Sequence, residues 1–160
     1  MDEFKIIMQD CGKKVFALKQ LVKLVIWSKK LLSLPSYNNP MKIAVIGAGA
    51  SGIIAALQAV YAGAEVTLFE RNHTVGRKLL VTGSGRCNIS NQNVSAEKYD
   101  CADRGWLEQV FTSFGVDDTL AMFKNLGILV YHTDDGWYYP LSNSAQSVVA
   151  ILADALAVAN

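Results

Sequence analysis

Cysteine and histidine are both scarce in this chain, at three and two of 160 residues. Cys11, Cys87 and Cys101 form no C-x-x-C pair, and so sparse and odd a set argues against the disulfide framework of small secreted domains. It fits a reducing, cytoplasmic setting. His73 and His132 stand far apart and outside any ligand spacing, so no metal site is expected. Net charge is nearly absent too: the formal value of +1 gives no ground for a nucleic-acid partner. No Ser/His/Asp arrangement occurs, nor any internal repeat or low-complexity tract, and no catalytic residue is assigned.

What is present is 51% hydrophobic and 18% charged, enough for one globular core. The charge is unevenly placed. Residues 1–40 carry seven lysines against Asp2, Glu3 and Asp10, a net +4, whereas residues 41–160 carry eight basic and eleven acidic residues, a net −3. Within the first segment, Val15 to Leu34 is apolar but broken by Lys19, Lys23, Lys29 and Lys30, so its unbroken part is too short to span a bilayer. No secretory cleavage site follows it. A basic amphipathic helix over residues 13–34 on a membrane surface, a helix docking on a partner, and sequence foreign to the folded domain are the three readings. Pro35 to Pro40 reads as a linker, and Met41 directly before the first strand suggests a natural start there. Residues 1–40 are therefore expected to be an extension, and residues 41–160 the domain.

Residues 42–70 hold a complete βαβ unit. Ile43 to Ile46 is a short apolar run bounded by glycine, as expected of a parallel strand buried on both faces. Gly47-Ala48-Gly49-Ala50-Ser51-Gly52 follows. Gly47 permits the tight turn, Gly49 lets the backbone approach a pyrophosphate, and Gly52 lets the helix pack on the strand. The helix aims its free N–H groups and positive dipole end at phosphate. Ile53, Ile54, Leu57, Val60 and Tyr61 recur at helical spacing, and Gly63 is a good residue on which to stop. Glu70 ends the second strand 18 residues after Gly52, where a carboxylate accepts hydrogen bonds from an adenosine ribose. That acid disfavours a 2′-phosphate, so FAD or NAD fits better than NADP, although Arg71 beside it softens the exclusion. The bland alternative is an α/β unit whose glycines serve packing alone.

The next segment, Gly76-Arg77-Lys78-Leu79-Leu80-Val81-Thr82-Gly83-Ser84-Gly85-Arg86-Cys87-Asn88-Ile89-Ser90-Asn91, sets three glycines and three cations among small polar side chains. Such a loop approaches a flat, charged ligand closely, with Arg77, Lys78 and Arg86 available to pyrophosphate or flavin oxygens. A surface loop with solvated cations is the plainer alternative. Together, VIGAGASG, GRKLLVTGSGRCNISN and the run Asp135 to Ala145 resemble the BaiN/YhiN-type flavoproteins, also labelled the aminoacetone oxidase family of FAD-binding enzymes. The resemblance covers nearly all of residues 41–160.

It implies an α/β, Rossmann-like FAD/NAD(P)-binding domain, present as its N-terminal part. It further implies FAD as cofactor and NAD(P)H as electron donor, with Gly47, Gly49 and Gly52 at the pyrophosphate, Glu70 at the adenosine ribose, and Ala50, Ser51 and Arg71 among the cofactor-binding residues. Arg77 and Lys78 would lie beside the ADP half. Thr82, Gly83, Gly85, Arg86, Cys87 and Asn88 would run toward the flavin ring. Cys87 invites a redox role but has no nearby resolving cysteine, and a small packing residue is the favoured reading. The family's members run to several hundred residues, so a chain stopping at Asn160 is expected to be a fragment, inactive in isolation.

Beyond these blocks, Trp106 to Phe114 and Asp117 to Leu126 have helical spacing, ended by Gly115 and Gly127. Ile128 to Tyr131 and Trp137 to Tyr139 read as a hairpin about Asp134-Asp135-Gly136. A final helix follows, capped by Ser142 or Asn143 and apolar along Val148, Val149, Ile151, Leu152 and Leu156. This is a small helix-hairpin-helix extension. His132, Tyr138 and Tyr139 are expected in the hairpin core and edge rather than a substrate pocket.

Three functions stand open: an FAD-dependent oxidoreductase acting on a small-molecule substrate such as an enone or amine, an NAD-linked dehydrogenase, and a non-catalytic dinucleotide-binding module. No nucleic-acid partner is expected, and membrane contact would come only through residues 13–34.

Overall fold

The computed structural model describes residues 40–159 together with the backbone of Lys5–Met8. The expected amphipathic stretch over residues 13–34, the linker before Pro40 and Cys11 lie outside the described residues. The chain divides into two compact units, one holding the described residues through Leu79 and again from Leu152, the other Leu80–Ile151.

The first unit is built on a parallel sheet of β1 (Lys5–Met8), β2 (Lys42–Ile46) and β3 (Glu65–Glu70), in the order β1-β3-β2. β2 runs beside β3 with Ile43 opposite Val66 and Val45 opposite Leu68. Helix α1 (Ala50–Tyr61) makes the crossover and packs on β2 and β3. It ends because Gly63 adopts φ +84, letting its N–H reach the Val60 carbonyl (2.8 Å) and that of Ala64 reach Ala59 (3.0 Å). The core is Ile53, Ala56 and Leu57 of α1 with Val66 and Leu68 of β3, joined in this unit by Leu152 and Leu156.

Two expectations about burial change. β2 is not buried on both faces: Ala44 and Ile46 are exposed, Ile46 to 71%, because no described element covers that side and β2 forms an edge. The buried side of α1 includes Ala55, Ala56 and Ala59, whereas Tyr61 is exposed, since alanines rather than bulky residues let the helix lie close.

The chain passes into the second unit within Leu79–Gly85, a run of tight turns broken by left-handed residues, and β4 (Ser90–Asn91) follows. Helices α2 (Arg104–Ser113) and α3 (Val116–Asn125) come next, then β5 (Val130–His132) and β6 (Trp137–Pro140). The antiparallel order is β4-β6-β5, so the expected hairpin gains a third strand from the Ser90-Asn91 end of the GRKLLVTGSGRCNISN block. Helix α4 (Ala145–Val158) closes the chain, with Ala145, Val148, Leu152 and Leu156 on its buried side.

Gly127 ends α3 as expected, with φ +82 and its N–H on Lys124. Gly115 does not end α2: it precedes α3, and its N–H donates to the Asp118 carboxylate (2.9 Å). Ser142 and Asn143 do not cap α4 either. The helix begins just after Ser144, Ser142 meets the Ser147 hydroxyl, and Asn143 accepts from the Tyr131 hydroxyl (3.1 Å). Tyr139 is buried, Tyr138 half-buried and His132 exposed, which agrees with hairpin core and edge positions.

Candidate functional site

The glycine turn lies between the end of β2 and the start of α1. A Cβ on Gly52 would stand 1.7 Å from the Gly47 carbonyl oxygen, so only glycine lets the helix come this close to the strand. At Gly49 a Cβ would meet nothing within 4 Å. That open space is where a ligand can approach the backbone.

The N-terminus of α1 carries no side-chain cap and no acidic residue in its first turn. The N–H groups of Ala50, Ser51 and Gly52, which have no intrahelical acceptor, are left to an anion. The residues thus fit a dinucleotide pyrophosphate, by the open glycine and by the donors.

Among the described residues of the unit Glu70 is the buried charge, 8% exposed at the end of β3. Its Oε2 accepts the Ala48 N–H (2.7 Å), while Oε1 accepts both the backbone N–H (2.9 Å) and the side-chain amide (2.6 Å) of Asn72. Burial by itself raises this carboxyl's pKa. The N–H groups of Asn72 and Ala48, the Asn72 amide and the Arg71 N–H outweigh it and hold the group below its ordinary value. Glu70 therefore clamps the middle of the glycine turn. The Gly76 N–H adds a second tie, to the Ala48 carbonyl at 2.7 Å.

Arg77 and Lys78 are exposed, as is the Arg71 side chain, and Arg77 Nη1 donates to Asn72 Oδ1 (3.0 Å). Gly47, Gly49, Ala50, Ser51, Gly52, Glu70, Arg71, Arg77 and Lys78 are all in the first unit.

Thr82, Gly83, Gly85, Arg86, Cys87 and Asn88 belong to the second unit, where they form a tight knot. Gly83, Ser84, Gly85 and Cys87 all have left-handed φ, and a Cβ on Gly83 would stand 2.9 Å from the Tyr139 ring and 3.0 Å from the Asn88 nitrogen. The Cys87 N–H returns to the Thr82 carbonyl (3.1 Å). Arg86 donates to the Gly83 carbonyl (3.1 Å) and the Tyr139 hydroxyl (3.3 Å), with its guanidinium 4.3 Å from the Tyr139 ring centre. Cys87 is 2% exposed, and burial pushes its thiol up against the lowering contact of Thr82. A buried thiol so held is a packing residue rather than a poised nucleophile.

Asn72, Ala48 and Tyr139 were not among the sequence-predicted site residues. Asn72 carried a signal: an asparagine two residues past a strand-end carboxylate is placed to bond it locally. Ala48 acts through its backbone and Tyr139 from 53 residues beyond Arg86, so neither had one. Among the described residues no His, Cys, Asp and Glu cluster could hold a metal, and no helix is long and apolar enough to cross a membrane.

A parallel βαβ with an open glycine turn, an uncapped helix start and a strand-end acid defines a Rossmann-type dinucleotide-binding domain. Residues 41–160 match the model of the HI0933-like protein Rossmann domain, and the chain belongs to that FAD-binding family. The chain is 38% identical over 113 residues to the 3-dehydro-bile acid delta(4,6)-reductase of Clostridium scindens, covering 69% of this chain and 27% of that protein. It is 31% identical over 110 residues to the ribosomal RNA dihydrouridine synthase of Escherichia coli, covering 69% and 27%. A shorter stretch of 39 residues is 54% identical to a 4,4'-diapophytoene desaturase of Staphylococcus aureus, covering 24% and 8%. The relatives thus include oxidoreductases, and the chain spans about a quarter of the length of the first two.

Proposed function

We propose that this chain is the FAD-binding part of an FAD-dependent oxidoreductase that passes a hydride between NAD(P)H and an organic substrate. The observation that carries this reading is the glycine turn held open at an uncapped helix N-terminus by a buried strand-end carboxylate. Ala50, Ser51 and Gly52 would donate to the pyrophosphate, and Glu70 would accept from the adenosine ribose on Oε2, the oxygen that carries one clamp bond. Arg71, Arg77 and Lys78 would supply positive charge beside the ADP half. The assignment of Thr82 to Asn88 to the flavin ring rests on the family resemblance. Bound FAD would supply the redox chemistry; the protein binds, orients and tunes it.

The bile-acid reductase relative supports an unsaturated carbonyl compound as the substrate class, and scarce cysteine supports a cytoplasmic setting. A second substrate reading, a base in RNA, is favoured by the dihydrouridine synthase relatives. The test is the visible spectrum of the purified protein, followed by NADH oxidation with an enone or with uridine-containing RNA. Flavin bands are expected. A colourless protein that binds NAD would replace this reading with an NAD-linked dehydrogenase, and one that binds neither would leave a non-catalytic module.

A further inference from the structure

Asn72 lies between two charges of opposite sign. Its Nδ2 donates to Glu70 Oε1 (2.6 Å) and its Oδ1 accepts from Arg77 Nη1 (3.0 Å). The amide orientation is fixed by these partners, because a flipped side chain would set oxygen against carboxylate and NH₂ against guanidinium. The backbone N–H of Asn72 also donates to Glu70 Oε1, so the residue is held at both backbone and side chain. A buried carboxylate thus orients an exposed guanidinium through one neutral amide. Among the described residues the acid and the cation form no direct ion pair and meet through the amide. It leaves Arg77 with four further N–H donors on an exposed group.

We propose that Asn72 is a positioning residue that carries the fixed orientation of Glu70 out to Arg77, making Arg77 a preoriented arm for the diphosphate of the bound dinucleotide. This rests on the FAD reading above. Without Asn72 the Arg77 side chain would rotate freely and would have to be ordered when phosphate binds, at a cost in affinity. The clamp on Ala48 uses the other carboxylate oxygen, Oε2, and Oε1 keeps the Asn72 backbone N–H, so the amide's own part is the link to Arg77.

The test uses the protein stripped of any bound flavin and three probes: FAD, ADP and adenosine, the last lacking phosphate. Asn72→Ala keeps the backbone N–H that Glu70 accepts. It is expected to weaken ADP and FAD about tenfold, the scale of one hydrogen bond to a charged group, while adenosine binding changes less than twofold. Arg77→Gln, at an exposed position that leaves the fold intact, is expected to do the same. In the Arg77→Gln background, Asn72→Ala should weaken ADP by less than twofold further, because its effect passes through Arg77.

Equal weakening of ADP and adenosine by Asn72→Ala, or additive losses in the double variant, would overturn the proposal and leave the FAD reading standing. If Asn72→Ala does not fold, Arg77→Gln alone decides: unchanged ADP affinity removes the arm. A wild-type protein that binds neither FAD nor ADP overturns the FAD reading, and this inference with it.

Discussion

Glu70 shows what a single side chain contributes once its surroundings are counted. A buried carboxylate is costly unless hydrogen-bonded, and here the Asn72 and Ala48 donors hold it ionised. Its pKa is lowered on folding, so its stabilising contribution is present above the ordinary carboxylate pKa and is lost as pH falls through the lowered folded value. Glu70→Gln is expected to flatten the acid limb of a thermal-melting profile, because the amide no longer titrates. It should also lower Tm at neutral pH, since its NH₂ must face one of the donors. An unchanged acid limb would show that Glu70 does not drive the acid sensitivity. Cys87 gives a second residue-scale expectation: buried, it should react with a thiol reagent far more slowly than the less buried Cys101. Faster labelling of Cys87, read by mass spectrometry of the native protein, would restore a reactive role. The place of Glu70 at a strand end was legible in the sequence. Its grip on Ala48 was not, because that bond joins a side chain to a backbone group 22 residues away.

At the scale of elements, the sequence was most readable where a local rule has one physical solution. Gly63 and Gly127 both take the left-handed conformation that ends a helix. Gly115 looks the same in sequence but has ordinary φ, because the Asp118 carboxylate recruits its N–H to start the next helix. β4 was missed because two residues carry no period, and their pairing partner lies nearly fifty residues away. The β2–α1 turn makes a contrast that separates packing from binding. Gly52→Ala places a Cβ against the Gly47 carbonyl and is expected to destabilise the protein by several kcal/mol. Gly49→Ala meets no protein atom and needs no strained φ, so its stability should stay within about 0.5 kcal/mol of wild type. FAD affinity should nonetheless fall at least tenfold for Gly49→Ala, as the methyl takes the ligand's space. Denaturant melts and flavin titration of the two variants check this. Unaltered binding by Gly49→Ala would remove the ligand from the turn.

For the whole molecule, the question is how much of the chain the cofactor-binding unit needs. The family match begins at Met41, and every residue assigned to the ligand in the first unit lies from Gly47 onward. Yet β1 comes from the extension and pairs with β3 over four residues, on the side away from β2. Removing it uncovers the edge of β3, including the backbone of Glu70 opposite Met8, but takes no partner from the Glu70 carboxylate, whose hydrogen bonds come from Ala48 and Asn72. β1 should therefore matter to the sheet and not to the ligand. Deleting residues 1–40 is expected to lower Tm, since an edge strand and its backbone hydrogen bonds are lost. FAD affinity should remain within about threefold of the undeleted protein, a difference of under 1 kcal/mol. Flavin titration of both proteins, below the melting range of the shorter one, makes the comparison. A large loss of affinity with the fold retained would show that the extension belongs to the binding unit, and that the compositional break at Met41 is no functional boundary.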